Sequence, residues 1–423
     1  MTRRLLRAAL LCLICIAVAS SRASDLPSQI ESLISQPSFA GARWGICIYS
    51  LTKDSLIFSR DADKLFVPAS TVKLLTSAAA LDSLGPNYRF ETAFFRDGTL
   101  DSTGTLHGDL IMRGSGDPTL RDVFDENGVP GAFQQIADSL CQKGLKRIQG
   151  RLVGDARAWP REAPCPSWEV GDFAEDWMPL TGTLSLNRND AAADTALCVV
   201  IETGTNSTLF LGPSPTLHFL SVFHSALRDA GIHVSGEKIA KSNPARPSLL
   251  YVHASAPLSE ILKRMNKWSD NFYAEQVSRV LGRGTGSRGV EAIYKFVARA
   301  GVNGDELRLE DASGLSRKNL ISPAAIVQLL KFMHRHPCAD AYEQSLAVSG
   351  VDGTLARRHA AASGAEARAK TGTLDYASAL SGYLKTKTGE EIAFSFICNN
   401  FLASVQTVHQ VQDSICTLLA KER

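Results

Sequence analysis

The chain has little net charge, no long hydrophobic run beyond its N-terminus and no sign of nucleic-acid or membrane-spanning architecture. Its 423 residues carry a formal net charge of only +2. No global electrostatic field therefore draws it to nucleic acid or to an anionic membrane surface. No segment after residue 23 is apolar enough to span a bilayer. With 44% hydrophobic residues, the composition is typical of a globular protein of two or three units.

Three common classes of catalytic motif are also missing. No HExxH or comparable zinc-ligand spacing occurs, and we interpret His334-Arg335-His336 as a surface segment at a helix end. Gly114-Ser115-Gly116 lacks the lysine and the strand–helix context of a phosphate loop. No Ser-His-Asp arrangement is identifiable. We therefore predict neither a metal nor a cofactor.

Residues 1–23 have the features of a secretion signal: three arginines, an apolar run over Ala8–Ala19 and small residues up to Ala23. An uncleaved membrane anchor is the alternative, but the apolar run is short for a span. We expect cleavage and export to the periplasm or another extracytoplasmic space, with at most peripheral membrane contact. The seven cysteines after this segment are scattered and odd in number, so at least one thiol is free. We expect most of them to be small core residues, with room for one or two disulfide bridges.

The remaining chain predicts an α+β protein interrupted by an insertion. Residues 24–87 and 245–423 would form one domain, and residues 88–244 a β-rich insertion of one or two small domains. Helices are predicted at 70–84, 132–143, 216–230, 258–266, 272–281, 289–300, 324–334 and 405–420. Strands are predicted at 44–51, 55–59, 90–95, 105–112, 147–153, 197–203, 376–385 and 392–399.

Ser-x-x-Lys occurs three times, in different contexts. Ser70–Lys73 follows Pro68-Ala69 and opens a predicted helix, where positions i and i+3 share a face. A lysine whose pKa is lowered can take the proton of such a serine. Ser50–Lys53 falls at a predicted hairpin turn, and Ser235–Lys238 falls in a glycine-containing loop. Only Ser70 and Lys73 are therefore predicted as a nucleophile and its neighbouring amine.

A Ser-x-Asn pattern follows at Ser269 and Asn271, between two predicted helices. The hydroxyl can relay a proton and the amide can hold a substrate amide. A simple helix N-cap is the alternative, and Ser185-Leu186-Asn187 shows how readily the pattern arises.

Lys-Thr-Gly occurs at Lys370–Gly372 and again at Lys387–Gly389. The second copy coincides with a predicted turn between two strands. The first copy leads into the predicted strand 376–385, where a peptide-like substrate could add along a strand edge. A lysine and a hydroxyl there can bind a carboxylate, and a glycine permits close approach of a substrate backbone.

The order of these three motifs is the one found in penicillin-binding proteins and β-lactamases. Segments 68–76 (PASTVKLLT), 265–275 (MNKWSDNFYAE) and 311–317 (DASGLSR), with 108–110, 116–118 and 350–355, resemble one family within that group. It is the D-alanyl-D-alanine carboxypeptidase/endopeptidase family, the class C low-molecular-mass penicillin-binding proteins. The resemblance runs from about residue 30 to the C-terminus. It implies a transpeptidase-like domain, an antiparallel sheet flanked by helices, with a long insertion.

The resemblance also implies roles. Ser70 would attack the penultimate D-alanine carbonyl, and Lys73 is one of the groups that can act as base. The backbone N–H groups of Ser70 and Thr373 would bind the oxyanion. Lys370 and Thr371 would bind the terminal carboxylate.

Looser matches concern the substrate side chain. In family members an Asp and an Arg help to bind the charged end of a diaminopimelate side chain, and Asp172 and Arg317 occupy the matching positions. The alternatives are a turn residue and a surface charge. Neighbouring family-like positions are Trp168, Trp177 and Asn187-Arg188-Asn189, and Asp375 departs from the family pattern.

The function so implied is that of an exported serine-type D-Ala-D-Ala carboxypeptidase with endopeptidase activity. Its partners would be peptidoglycan stem peptides and cross-bridges, with β-lactams as covalent inhibitors. Two alternatives stay open: a catalytically silent wall-binding protein, and a serine hydrolase of the same superfamily with another ester or amide substrate.

Overall fold

A computed structural model describes residues 25–120, 131–157, 159, 165–169, 171–172, 178, 181–185, 198–203, 206–211, 215–240, 247–283, 289–358 and 365–422. The predicted signal segment 1–23, Trp177 and residues 187–189 lie outside this description. Within it, no helix combines the length and the apolar character that a membrane crossing needs.

The elements follow in chain order. They are α1 (Leu26–Ile34), β1 (Arg43–Ser50), β2 (Ser55–Arg60), α2 (Lys73–Leu84), β3 (Glu91–Leu100), β4 (Thr105–Arg113), α3 (Ala132–Gln142), β5 (Arg147–Ile148), β6 (Leu152–Asp155), β7 (Cys198–Thr203), β8 (Asn206–Leu211), α4 (Pro215–Asp229), β9 (His233–Val234), β10 (Lys238–Ala240), β11 (Ser248–Ala254), α5 (Leu258–Lys267), α6 (Asn271–Leu281), α7 (Val290–Arg299), β12 (Leu307–Arg308), β13 (Leu320–Ile321), α8 (Pro323–His334), α9 (Ala339–Gln344), β14 (Ala347–Val348), β15 (Glu366–Leu374), β16 (Ala377–Lys385), β17 (Glu391–Asn399) and α10 (Val405–Glu422).

The central sheet joins both ends of the chain in the order β14-β15-β16-β17-β1-β2, and every pairing is antiparallel. Strands β16 and β17 are buried along nearly their whole length. Side chains on one face pack with α1 and α10, and those on the other pack with α2, α5, α6 and α8. A sheet covered on both faces explains why these two strands are continuous apolar runs. The predicted α+β class, with an antiparallel sheet flanked by helices, is confirmed.

A second sheet lies between α2 and α5 in the sequence, over residues 91–254. Its main path is β10-β6-β4-β3-β11, with β5 and β9 paired beside it. Its apolar core includes Phe94, Phe133 and Phe223, which join strand β3 to helices α3 and α4. Strands β7 and β8 form a separate two-stranded sheet. The strand predicted over 147–153 is two short strands, β5 and β6, which both pair in parallel with β4.

Two local predictions near the catalytic motifs were wrong in detail. The helix predicted from Ser70 begins as a 3-10 turn over Ala69–Val72, and the α-helix starts at Lys73. Ala69 has a left-handed φ of 48°, which accounts for the irregular entry. Lys370–Gly372 does not precede a strand but lies inside β15, a strand missed because its residues EARAKTGTL have low strand propensity.

The described cysteines support the expectation of small core residues in part. Cys47, Cys165, Cys398 and Cys416 are buried, Cys338 is half-buried and Cys141 is exposed. All six are free thiols.

Candidate active site

Ser70 and Lys73 meet at the junction of the 3-10 turn and α2. The Lys73 Nζ atom lies 3.0 Å from Ser70 Oγ, which is within hydrogen-bonding range. Lys73 is fully buried and Ser70 is half-buried. The pair therefore places a desolvated amine next to a hydroxyl that a substrate can still reach.

Two further groups contact the Lys73 amine, and neither is charged. Nζ lies 2.6 Å from the Asn271 side-chain oxygen and 2.6 Å from the Ser313 carbonyl oxygen. A neutral amine has two N–H donors and one lone pair, so it can donate to these two oxygens and accept from Ser70. Burial lowers the pKa of Lys73 to about 8, against the opposing charges of Asp311, Asp270 and Glu275. The arrangement fits an amine that serves as a base.

Lys370 forms a second buried amine beside the first. Its Nζ lies 2.9 Å from Ser269 Oγ and 2.7 Å from the Thr371 carbonyl oxygen. Burial, and after it the charge of Lys73, lowers the pKa of Lys370 well below its ordinary value. Asp270, between Ser269 and Asn271, caps α6 by accepting from the Tyr273 N–H. Ser269 adopts a left-handed φ of 59°, so the cap and the two site residues occupy one tight turn.

Strand β15 lies directly against the turn that carries Ser70. A Cβ atom on Gly372 would sit 2.7 Å from the Pro68 carbonyl oxygen and 3.0 Å from the Ser70 nitrogen. A glycine is therefore required at this position because β15 packs against the Ser70 turn. The sequence alone predicts it only for close approach of a substrate. Thr371 Oγ1 donates to Thr354 Oγ1 at 2.7 Å, and Thr373 is exposed. Beyond the two-residue β14, the described chain adds no strand to the outer edge of β15.

The other copies of the motifs lie in other parts of the structure. Ser50 Oγ donates to Glu390 at 2.7 Å, and Lys53 Nζ contacts the same carboxylate at 2.8 Å. Lys387–Gly389 lies in the connection between β16 and β17, as its composition predicts. Ser185 donates to the Gly182 carbonyl.

Arg317 lies among three carboxylates near the end of β15. It contacts Asp172 at 2.9 Å, Glu169 at 2.9 Å and Asp375 at 3.6 Å. Asp172 is buried, whereas Asp375 is exposed. Apolar side chains line the neighbourhood: Cys165, Trp168, Met178, Leu315 and Leu374. Asp172 and Arg317 thus contact each other. Asp375, the acid that departs from the family pattern, lies beside them, and Glu169 adds a negative charge that the sequence analysis did not identify.

Two buried acids that sequence reasoning left without a role hold the loop 311–316. Asp311 accepts hydrogen bonds from the Gly314 and Ser316 N–H groups and from the Trp168 indole. Glu275 accepts from the Ala312 and Ser313 N–H groups. Glu275 stands four residues after Asn271, so helical spacing alone indicates that both share a face. The partner loop, 37 residues away in sequence, could not be predicted.

The model of the D-Ala-D-Ala carboxypeptidase 3 (S13) family matches residues 26–199 and 197–422. The D-alanyl-D-alanine carboxypeptidase of Actinomadura sp. (strain R39) is 28% identical over 95% of this chain and 86% of its own.

Solved structures share the fold. Penicillin-binding protein 4 of Haemophilus influenzae superposes with a TM-score of 0.77 at 22% identity, covering 93% of this chain and 99% of that one. A penicillin G-acylated predatory endopeptidase of Bdellovibrio bacteriovorus, in complex with an immunity protein, gives 0.56 at 20% identity, over 88% and 90% of the two chains.

Proposed function

Because the chain belongs to the D-Ala-D-Ala carboxypeptidase 3 (S13) family and is a serine-type D-alanyl-D-alanine carboxypeptidase, we propose that it acts through an acyl-enzyme on Ser70. The observation that carries this proposal is the Lys73 amine, 3.0 Å from Ser70 Oγ and contacted otherwise by two uncharged oxygens. At pH values near its pKa of about 8, an amine in that setting is neutral in a substantial fraction of molecules.

The proposed reaction begins when Ser70 Oγ bonds to the carbonyl carbon of the penultimate D-alanine and its proton passes to Lys73 Nζ. The C–N bond to the terminal D-alanine then breaks, and the leaving amine takes the proton from Lys73 Nζ. Water attacks the resulting ester: its hydroxyl stays on the carbonyl carbon of the released, shortened peptide, and its proton passes by way of Lys73 to Ser70 Oγ. The N–H groups of Ser70 and Thr373 would bind the oxyanion, supported by the contact of Gly372 with the Ser70 backbone.

Lys370 and Thr371 are proposed to bind the terminal carboxylate. The pKa of Lys370 is lowered by burial and by the charge of Lys73. A bound carboxylate favours the charged form of Lys370. That regained charge disfavours a charge on Lys73, so substrate binding would itself favour the basic form of Lys73.

The proposed substrates are peptidoglycan stem peptides, and cross-bridges where the chain acts as an endopeptidase. β-Lactams would acylate Ser70 and remain bound. The penicillin G-acylated endopeptidase of Bdellovibrio with this fold supports that reading. The open edge of β15 suits an extended peptide. Export after cleavage of residues 1–23 is proposed from the sequence pattern.

The group of charged side chains around Arg317 is proposed to bind the side chain of the third stem residue. Asp172 would bind an amino group and Arg317 a carboxylate, as in a diaminopimelate side chain. Asp172→Asn should raise KM for such a pentapeptide more than for one with an uncharged third residue. Equal KM changes for the two peptides would contradict this assignment.

The central test is labelling of the full chain with a fluorescent penicillin, beside Ser70→Ala. Labelling that depends on Ser70 is expected, and its absence would refute the acyl-enzyme proposal and favour a silent wall-binding protein. Release of D-alanine from a pentapeptide then distinguishes this activity from that of a hydrolase with another substrate.

A further inference from the structure

The loop 311–316 contacts the catalytic pair at two points, the Lys73 amine and the backbone at Ser70. The Ser313 carbonyl oxygen accepts from Lys73 Nζ at 2.6 Å. Gly314, with a φ of 83°, packs so tightly that a Cβ there would lie 2.0 Å from the Ala69 carbonyl oxygen and 3.0 Å from the Ser70 Cα. A small displacement of this loop would therefore move both the amine and the nucleophile.

Glu275 holds the loop from the interior side. Its Oε1 atom accepts from the Ala312 N–H at 3.0 Å and from the Ser313 N–H at 2.8 Å. The side chain is buried, and it lies one helical turn after Asn271 on α6. One helix face thus provides both the amide that contacts Lys73 and the acceptor that fixes the Ser313 carbonyl, which also contacts Lys73.

The negative charge of Glu275 reaches Lys73 as well. Burial and the charge of Asp311 raise the pKa of Glu275 to about 7, against the hydrogen bonds from Ser313 and Ala312 and the charge of Arg279. Lys73 faces the carboxylates of Asp311, Asp270 and Glu275, all of which raise its pKa against the effect of burial. A neutral side chain of the same shape would make the same backbone contacts without the cost of a buried charge. The charge of Glu275 thus raises the pKa of Lys73, an effect separate from its backbone contacts.

We propose that Glu275 is a positioning residue, which fixes the Ser313 carbonyl against Lys73 and thereby orients the amine toward Ser70. This proposal rests on the proposed function, because it assumes that Lys73 takes the proton of Ser70. Glu275 itself need not touch the substrate.

The test is the rate of Ser70 acylation by a fluorescent penicillin, measured with the full chain from about pH 5.5 to about pH 9.5 around the Lys73 pKa. Glu275→Ala leaves two buried N–H groups without an acceptor and should lower the rate about 10-fold or more. Glu275→Gln keeps an acceptor oxygen and should retain a plateau rate within about 3-fold. Because it removes a charge that raises the pKa of Lys73, the acid limb should move to lower pH by roughly 0.3 units or more.

Glu310→Gln is the matched control. Glu310 precedes the same loop, but its side chain is partly exposed and bonds Arg308, so neither rate nor pH profile should change. If Glu275→Ala does not fold, the pH profile of Glu275→Gln decides the question. An unshifted acid limb in Glu275→Gln, or a normal rate in Glu275→Ala, would overturn the proposal. Failure of the unaltered chain to label through Ser70 would instead refute the proposed function itself.

Discussion

The two Ser-x-x-Lys segments at 50–53 and 70–73 share a pattern but differ in the groups that contact the lysine. Lys53 is more than half exposed and contacts the buried carboxylate of Glu390 at 2.8 Å. Lys73 is fully buried and contacts an amide oxygen, a carbonyl oxygen and a hydroxyl. A carboxylate partner favours the ammonium form, whereas desolvation with neutral partners favours the free amine. The first lysine is thus suited to joining two hairpins, and the second to accepting a proton.

The largest expected effect comes from removing each amine in turn. Lys73→Ala should lower Ser70 acylation by about 10³-fold, since general bases contribute roughly 10²- to 10⁴-fold. Lys53→Ala should leave the rate within about 2-fold, because Lys53 and its ion pair with Glu390 lie in another part of the sheet. Acylation kinetics with a fluorescent penicillin measure both. Similar losses in the two variants would show that the distinction between the segments is wrong.

The two Lys-Thr-Gly copies provide the next comparison. Lys370→Ala should reduce kcat/KM for release of D-alanine by about 10- to 100-fold, the worth of one charge-assisted bond to a carboxylate. Lys387→Ala, at an exposed turn, should have no effect. A substrate whose terminal carboxylate is amidated should be insensitive to Lys370→Ala. Equal sensitivity of both substrates would contradict carboxylate binding by this lysine.

Asn271→Asp converts the surroundings of Lys73 into those of Lys53. A carboxylate 2.6 Å from the amine raises the pKa of Lys73 above its value of about 8, so more of the lysine is protonated at neutral pH. The acid limb of kcat/KM should move up by about one pH unit or more, and the rate at pH 7 should fall about 10-fold. Asn303→Asp, at an exposed helix cap, is the control. A downward or absent shift would exclude Lys73 as the titrating base.

The smallest effect on catalysis is expected from Ser50→Ala. Ser50 is fully buried, donates to Glu390 and accepts from the Lys53 N–H. Its loss should lower the free energy of unfolding by about 1–2 kcal/mol, measured by urea denaturation, with unchanged acylation. A stable variant that no longer acylates would assign this segment a role that its contacts do not suggest.

Local sequence patterns determined much of this protein. The length and apolar character of residues 376–385 and 392–399 identified two central strands, because both are properties of a short segment. The positions of Lys53 and Lys387 at turns could be predicted from neighbouring glycine, threonine and aspartate. Motif order indicated which serine, lysine and asparagine belong together.

Only the tertiary structure decided the chemistry at Lys73. Its pKa depends on burial, which lowers it, and on the charges of Asp311, Asp270 and Glu275, which raise it. Its amine contacts Asn271 and Ser313, which are 198 and 240 residues away. The strand at 366–374 could not be predicted from its alanine, arginine and glycine residues. They form a strand there because they pair with β16 and contact the Ser70 turn. The pKa of a side chain and the close approach of two backbone segments depend on residues distant in the sequence, not on the local segment. The sequence by itself therefore selected the residues, and the fold determined the charge and orientation of the amine beside Ser70.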